Sequence, residues 1–261
     1  SEPHRFDGLW LAGGERYALQ APRMDLAPAR ALATLSAAVP NGLRHWLHEA
    51  SPDGVLHDVQ VHGRSGEWSG SARIEAVGKR QVQVLPVEFQ QDDRTPSCAV
   101  HLALPLIKGD RMDYALQKAT ELGAASFQLL TTTRTEVRLD GGRLDKRLPH
   151  WQQVVISACE QCGMNRIPPV YAPVSLSDYL QRQNNALKLI AHPGEQPLAA
   201  AALQRVSEVY LLTGPEGGFS PEELAQAGNS GFQPFALGQR VLRAETAPTA
   251  LLAAIWMARG E

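Results

Sequence analysis

Glu208-Val209-Tyr210-Leu211-Leu212-Thr213 runs straight into Gly214-Pro215-Glu216-Gly217-Gly218-Phe219-Ser220, and the reading of this stretch decides the fold. Its opening residues form a short apolar run of strand length. The glycines behind it let the backbone turn tightly and come close to a ligand. Ser220, Pro221 and Glu223 then stand at the N-cap, first and third positions of a helix, a capping box with proline at its first turn. A loop that joins a strand end to a helix start is a usual small-molecule site in α/β proteins.

Toward the C-terminus the pattern repeats. Gln233–Leu237 reads as a second strand, Gly238 as its turn, and a helix capped near Thr246 carries Leu251, Leu252, Ile255 and Trp256. Neither loop has the lysine of a phosphate-binding loop, and no G-x-G-x-x-G follows a strand. An uncharged glycine-rich pocket suits an adenine and a methionine-like group better than a triphosphate.

Toward the N-terminus, Leu187–Ala191 is a strand ending at His192-Pro193-Gly194. Ser177–Gln183 and Ala199–Ala202 read as short helices. Cys98–Leu106 and Phe127–Leu130 are apolar strands. Between them Met112, Leu116, Ala119 and Leu122 share one helical face, which Gly123 stops. Asp140-Gly141-Gly142 reads as a turn before a helix over Leu144–Gly163, with Pro149 setting its first turn. Cys159 and Cys162 form a C-x-x-C at the end of that helix. Redox thiolates are stabilised at a helix start, and zinc would need two further ligands, so neither chemistry is assigned.

Residues 1–90 read as a separate small unit, with a polar linker over Gln90–Ser97 and a second domain over 97–261. Arg23–Val39 is alanine- and leucine-rich and reads as a helix. Leu56–Val61, Glu67–Ile74 and Arg80–Val87 alternate as strands between glycine turns, the pattern of a small β-barrel.

The chain has 261 residues and a formal net charge of −2, which excludes a simple polycation. Residues 1–80 carry nine Lys or Arg against nine Asp or Glu, so any nucleic-acid surface must be local. Nothing reads as a membrane span or a signal peptide, and three cysteines do not form a disulfide framework. A cytoplasmic location is expected.

Gly214-Pro215-Glu216-Gly217-Gly218-Phe219-Ser220, together with Leu237-Gly238, Arg240, Leu242-Arg243 and Glu245-Thr246-Ala247, resembles the 16S rRNA uracil-N3 methyltransferases of the SPOUT superfamily. Lys108–Gly123, Arg134, Glu160-Gln161, Arg166 and Gly63–Trp68 are similar to that family as well, whereas Met164 stands where relatives tend to have arginine. The resemblance implies an α/β fold: a C-terminal SPOUT domain threaded as a trefoil knot, with a small N-terminal PUA-like β-barrel. It implies S-adenosylmethionine as cofactor, 16S rRNA within the 30S subunit as partner, a homodimer, and neither metal nor membrane. The cofactor residues it implies are Leu189, His192, Thr213, Gly214, Pro215, Glu216, Gly217, Gly218, Leu237, Gly238, Val241, Leu242, Arg243 and Thr246. Arg243 and Arg111 are the candidates for stabilising a uridine anion. Glu121, Glu216 and Glu245 remain alternative proton acceptors. Arg5, Arg16, Arg64, Lys108, Arg134 and Arg166 are the candidate RNA contacts. Two other readings stay open: a SPOUT enzyme with another RNA target, and a non-catalytic RNA-binding protein.

Overall fold

The computed structural model describes residues 94–261 apart from 140, 165, 182–185 and 198, and, before Arg94, the backbone of the strands alone. The chain divides into two compact units, one of Ser1–Thr95 with Cys159–Ile167, the other of Pro96–Ala158 with Pro168–Glu261.

In the first unit, strands β1 (Phe6–Leu11), β2 (Tyr17–Leu19), β3 (Ala33–Ser36), β4 (Val55–Gly63), β5 (Gly66–Val77) and β6 (Gln81–Gln91) form one sheet in the order β2-β1-β4-β5-β6-β3. Every pairing in it is antiparallel. The helix expected over Arg23–Val39 is corrected in part. Ala33–Ser36 is extended and pairs with β6, Ala33 opposite Val84 and Leu35 opposite Val82. Pairing along a whole edge outweighs a weak helix propensity. The other residues of that range lie outside those described. Strand β6 also runs into the expected linker, as far as Gln91.

The second unit is built on a parallel sheet. Its strands are β7 (Ala99–Pro105), β8 (Ala124–Thr131), β9 (Val170–Ser175), β10 (Leu187–Ala191), β11 (Glu208–Leu212) and β12 (Gln233–Phe235), in the order β12-β10-β11-β7-β8-β9. Strands buried on both faces read as continuous apolar runs, and the inner residues of β7, β8 and β11 are buried accordingly. The chain starts at β7, moves out through β8 to β9, then crosses to β10 on the far side of β11. A crossing of this kind opens a crevice beyond the carboxyl ends of the strands.

Helix α1 (Asp110–Glu121) buries Met112, Ala115, Leu116, Ala119 and Thr120. It stops at Gly123, whose φ of 77° is left-handed. A side chain there would also collide with Pro96, whose Cγ lies 2.5 Å from the Cβ position. Helix α2 spans Gly141–Cys162, so Gly141 and Gly142 open it instead of turning before it, and Pro149 lies in its interior. The first turns of α2 are exposed, which lets water take the carbonyl that Pro149 cannot serve. Cys159 is buried and Cys162 exposed, both as free thiols. Burial drives the Cys159 thiol far above the ordinary range, so it is inert rather than reactive. Met164 is buried, so that position does not face solvent.

Helix α3 is confined to Leu176–Leu180, and Ala200–Ala202 is a single 3-10 turn. Helix α4 (Pro221–Asn229) begins with the expected capping box: Ser220 Oγ accepts from Glu223 N–H, and Glu223 Oε2 accepts from Ser220 N–H at 2.8 Å. Helix α5 (Thr246–Arg259) begins one residue after Glu245, which occupies the N-cap position without a side-chain cap bond. Leu251, Leu252, Ile255 and Trp256 are buried in the unit's own core, and Trp256 Nε1 donates to Leu122 O.

Arg259 fastens the end of α5. Its guanidinium donates to Leu203 O, to Val206 O at 2.8 Å and to Ser97 Oγ at 2.8 Å, and it pairs with Glu261 at 2.9 Å. Its side chain is only 9% exposed, so removal leaves two part-buried carbonyls unpaired. Arg259→Ala is expected to lower the unfolding free energy by about 2–4 kcal/mol in urea titration. A loss under about 0.5 kcal/mol, the size of an ordinary surface substitution, would contradict this anchoring role.

Candidate active site

Three loops leave the carboxyl ends of neighbouring strands. Residues 192–194 follow β10, residues 213–220 follow β11, and residues 236–245 follow β12. Backbone bonds fix their roots: Thr213 N–H donates to Ala103 O at 3.0 Å, and His192 N–H donates to Phe235 O at 2.9 Å. Gly218 and Gly238 have φ of 68° and 81°, which a side chain would strain.

Together the loops enclose a cavity of about 330 Å³. Among the expected cofactor residues, His192, Thr213, Gly214 to Gly218, Leu237, Gly238, Val241 and Leu242 line it. Leu189 does not; it is fully buried within β10. Arg243 and Thr246 are exposed and are not among the lining residues. Lining residues that sequence reasoning missed include Phe219, Phe235, Ala236, Arg240 and Leu251. Phe219 and Arg240 stood inside the quoted motifs without being assigned to the site, whereas Leu251, read as a helix core residue, reaches the cavity through packing.

Most of this wall is apolar side chain and glycine backbone. Two buried polar atoms on lining residues have no hydrogen-bond partner: Thr213 Oγ1 and His192 Nδ1. His192 Nδ1 lies 3.8 Å from Glu195. An unpaired buried hydroxyl is costly unless a ligand or water meets it. A flat apolar group with a few polar atoms fits such a wall.

A chain of alternating charges stands beside the loop after β11. Arg111, in the first turn of α1, pairs with Glu216 at 3.1 Å and approaches Glu245 at 3.8 Å. Arg243 reaches Glu245 at 3.9 Å, but its side chain is 80% exposed. The Glu245 side chain is only 10% exposed, and its Oε2 lacks a hydrogen-bond partner. Arg111 is thus the better-held arginine of the two. Glu121 is elsewhere: Lys118 donates to both its oxygens at 2.8 and 3.0 Å, ten residues along α1 from Arg111. At the helical rise that is roughly 15 Å away, so Glu121 does not join this cluster.

The loop after β8 meets the loop after β11. Thr133 N–H donates to Glu223 Oε1 at 2.7 Å, and Arg134 Nη1 donates to Gly217 O at 2.7 Å. Arg134, expected as an RNA contact, therefore lines the cavity instead of standing apart from it. Lys108 is exposed just before α1. Arg166 is exposed and groups with the first unit. Arg5, Arg16 and Arg64 lie outside the described residues. Among the described residues there is no cluster of metal-ligating side chains, and no helix long and apolar enough to cross a membrane.

A family model described as an RNA methyltransferase domain matches residues 94–256. Ribosomal RNA small subunit methyltransferase E of Synechocystis sp. is 32% identical over 91% of this chain and 78% of its own length. The protein of that name from Mycobacterium bovis is 34% identical over 72% of this chain and 71% of its own length. Among solved structures, ribosomal RNA small subunit methyltransferase E of Neisseria gonorrhoeae bound to S-adenosylmethionine is 30% identical. It has a TM-score of 0.74 and covers 87% of this chain and 92% of its own. A Legionella pneumophila methyltransferase in complex with the same cofactor is 33% identical, with a TM-score of 0.72 and the same coverage.

Proposed function

We propose, because this chain belongs to the ribosomal RNA small subunit methyltransferase E family, that it transfers a methyl group from S-adenosylmethionine to N3 of a uridine in 16S rRNA. The observation that carries this reading is the cavity formed by three strand-end loops, with the Arg111–Glu216–Glu245 cluster beside it. The apolar wall takes the adenosine. Thr213 Oγ1 and His192 Nδ1 offer unpaired polar atoms to the bound molecule. When bound, the cofactor supplies a methyl group activated on a sulfonium.

This chain's residues prepare the acceptor. Uridine N3 is a weak nucleophile while it carries its proton. Glu216 or Glu245 accepts that proton, and Arg111 stabilises the charge that spreads over O2 and O4. Because N3 lies on the pairing edge, the base reacts only when unpaired or flipped out. The displacement is in line, so holding the two reactants together supplies much of the rate.

The first unit, read as a PUA-like barrel, holds the RNA, and the end of the second unit is threaded in the SPOUT manner. The substrate is the assembled 30S particle, since a chain of net charge −2 needs a shaped target. A homodimer is supported by the exposed apolar side chains of Val241 (76%) and Met257 (83%), the first beside the cavity. The setting is the cytoplasm. Calorimetric titration with S-adenosylmethionine tests the core of this reading. Saturable one-to-one binding per chain is expected, and no heat of binding at millimolar cofactor would refute it.

A further inference from the structure

We propose that Arg134 recognises the carboxylate at the methionyl end of the cofactor; this rests on the reading of the cavity as an S-adenosylmethionine site. Only two cationic side chains, Arg134 and Arg240, are among the cavity's lining residues. Arg240 has no hydrogen bond or ion pair to hold it among the described residues. Arg134, in contrast, is built into position.

Its loop is a tight threonine turn: Thr132 N–H donates to Thr135 Oγ1 at 3.0 Å, Thr135 N–H donates to Thr132 O at 3.2 Å, and the two hydroxyls lie 2.8 Å apart. The neighbouring Thr133 is tied to the buried Glu223 of the α4 capping box. The stem of Arg134 lies along Gly217, with its Cβ 3.3 Å and its Cδ 3.4 Å from where a Cβ of residue 217 would stand. Its Nη1 donates to Gly217 O. One donor thus fixes the guanidinium, while its other N–H groups remain for a ligand.

The acidic groups nearby are engaged elsewhere. Glu216 pairs with Arg111, and Glu223 accepts from Thr133 and Ser220. Glu222 is exposed, and a hydrogen bond from the Ser220 side chain holds its carboxyl below the usual range. Adenosine carries no charge, so the one anionic group of the bound cofactor is its carboxylate. A pre-oriented guanidinium at the rim of an apolar cavity is the geometry that reads such a group.

The test compares two ligands that share adenosine and a thioether. S-adenosylhomocysteine carries the carboxylate, and 5′-methylthioadenosine lacks it. R134A is expected to weaken S-adenosylhomocysteine about 10- to 100-fold in calorimetry. Binding of 5′-methylthioadenosine should change less than about threefold, since its interactions do not include the guanidinium. R134Q keeps a donor for Gly217 O but loses the charge, and should show the same selective loss; it also serves if R134A does not fold. Equal weakening of both ligands would overturn the proposal and leave Arg134 as a support for the loop. Unchanged binding of both, with a shallower salt dependence of binding to 30S particles, would overturn it in favour of a phosphate contact. If the unaltered protein bound neither ligand, the methyltransferase reading itself would fail.

Discussion

Replacing Arg111 by alanine is expected to lower kcat roughly 100- to 1,000-fold, the usual cost of removing one preorganised donor from developing charge. Affinity for the cofactor should stay within about threefold, because the proposed role of Arg111 is toward charge present only in the transition state. The expectation follows from the placing of Arg111 between two carboxylates, 3.1 Å from Glu216 and 3.8 Å from Glu245, at the start of α1. Arg111→Lys should recover little, because an ammonium does not reproduce the planar fork. Arg243→Ala should cost less, since Arg243 is 80% exposed and touches the cluster only through Glu245 at 3.9 Å. Single-turnover methylation of 30S particles at saturating substrate separates the two. If Arg243→Ala lost more turnover than Arg111→Ala, the anion-stabilising role would belong to Arg243.

Gly217→Val should weaken binding of the cofactor roughly 100-fold, in line with what a displacement of about 1 Å costs a positioned site. The backbone at Gly217 has no left-handed φ, so conformation is not the obstacle. Space is: a Cβ would stand 3.3 Å from Arg134 Cβ and 3.4 Å from its Cδ, and valine adds two methyl groups beyond it. The branched side chain must push the loop after β8 away from the loop after β11. Gly217→Ala, whose single methyl needs a few tenths of an ångström, should cost far less. With 5′-methylthioadenosine as the ligand, Gly217→Val should also do less harm in an R134A background, where the clash is relieved. An equal penalty in both backgrounds would show that the valine fills the ligand's own space.

Local features of the fold were legible in the sequence. Ser220, Pro221 and Glu223 specify a helix start within four residues, and the structure has that capping box. Leu187–Ala191 is bounded by a turn and is a strand over those residues. Features that depend on distant segments were not legible. Ala33–Ser36 is extended because β6 offers it an edge, which no local pattern announces. Likewise, Arg111 meets Glu216 only because β7 and β11 are adjacent in the sheet, although 105 positions of sequence separate the two side chains. The same holds for Arg134 and Gly217, which the sequence separates by 83 residues. The resemblance supplied Arg111 and Arg134 as residues of interest. It could not say that one stands in an ion-pair cluster and the other against the loop after β11.

The most direct test of the central claim is mass mapping of 16S rRNA from cells with and without this chain, with complementation by the Arg111→Ala variant. The account predicts that one uridine loses a single methyl group when the chain is absent, that the methyl maps to N3 of the base, and that the intact chain restores it while the variant restores little. Unchanged methylation of 16S rRNA without the chain would contradict the account, as would a lost methyl that maps to a ribose oxygen or to another base.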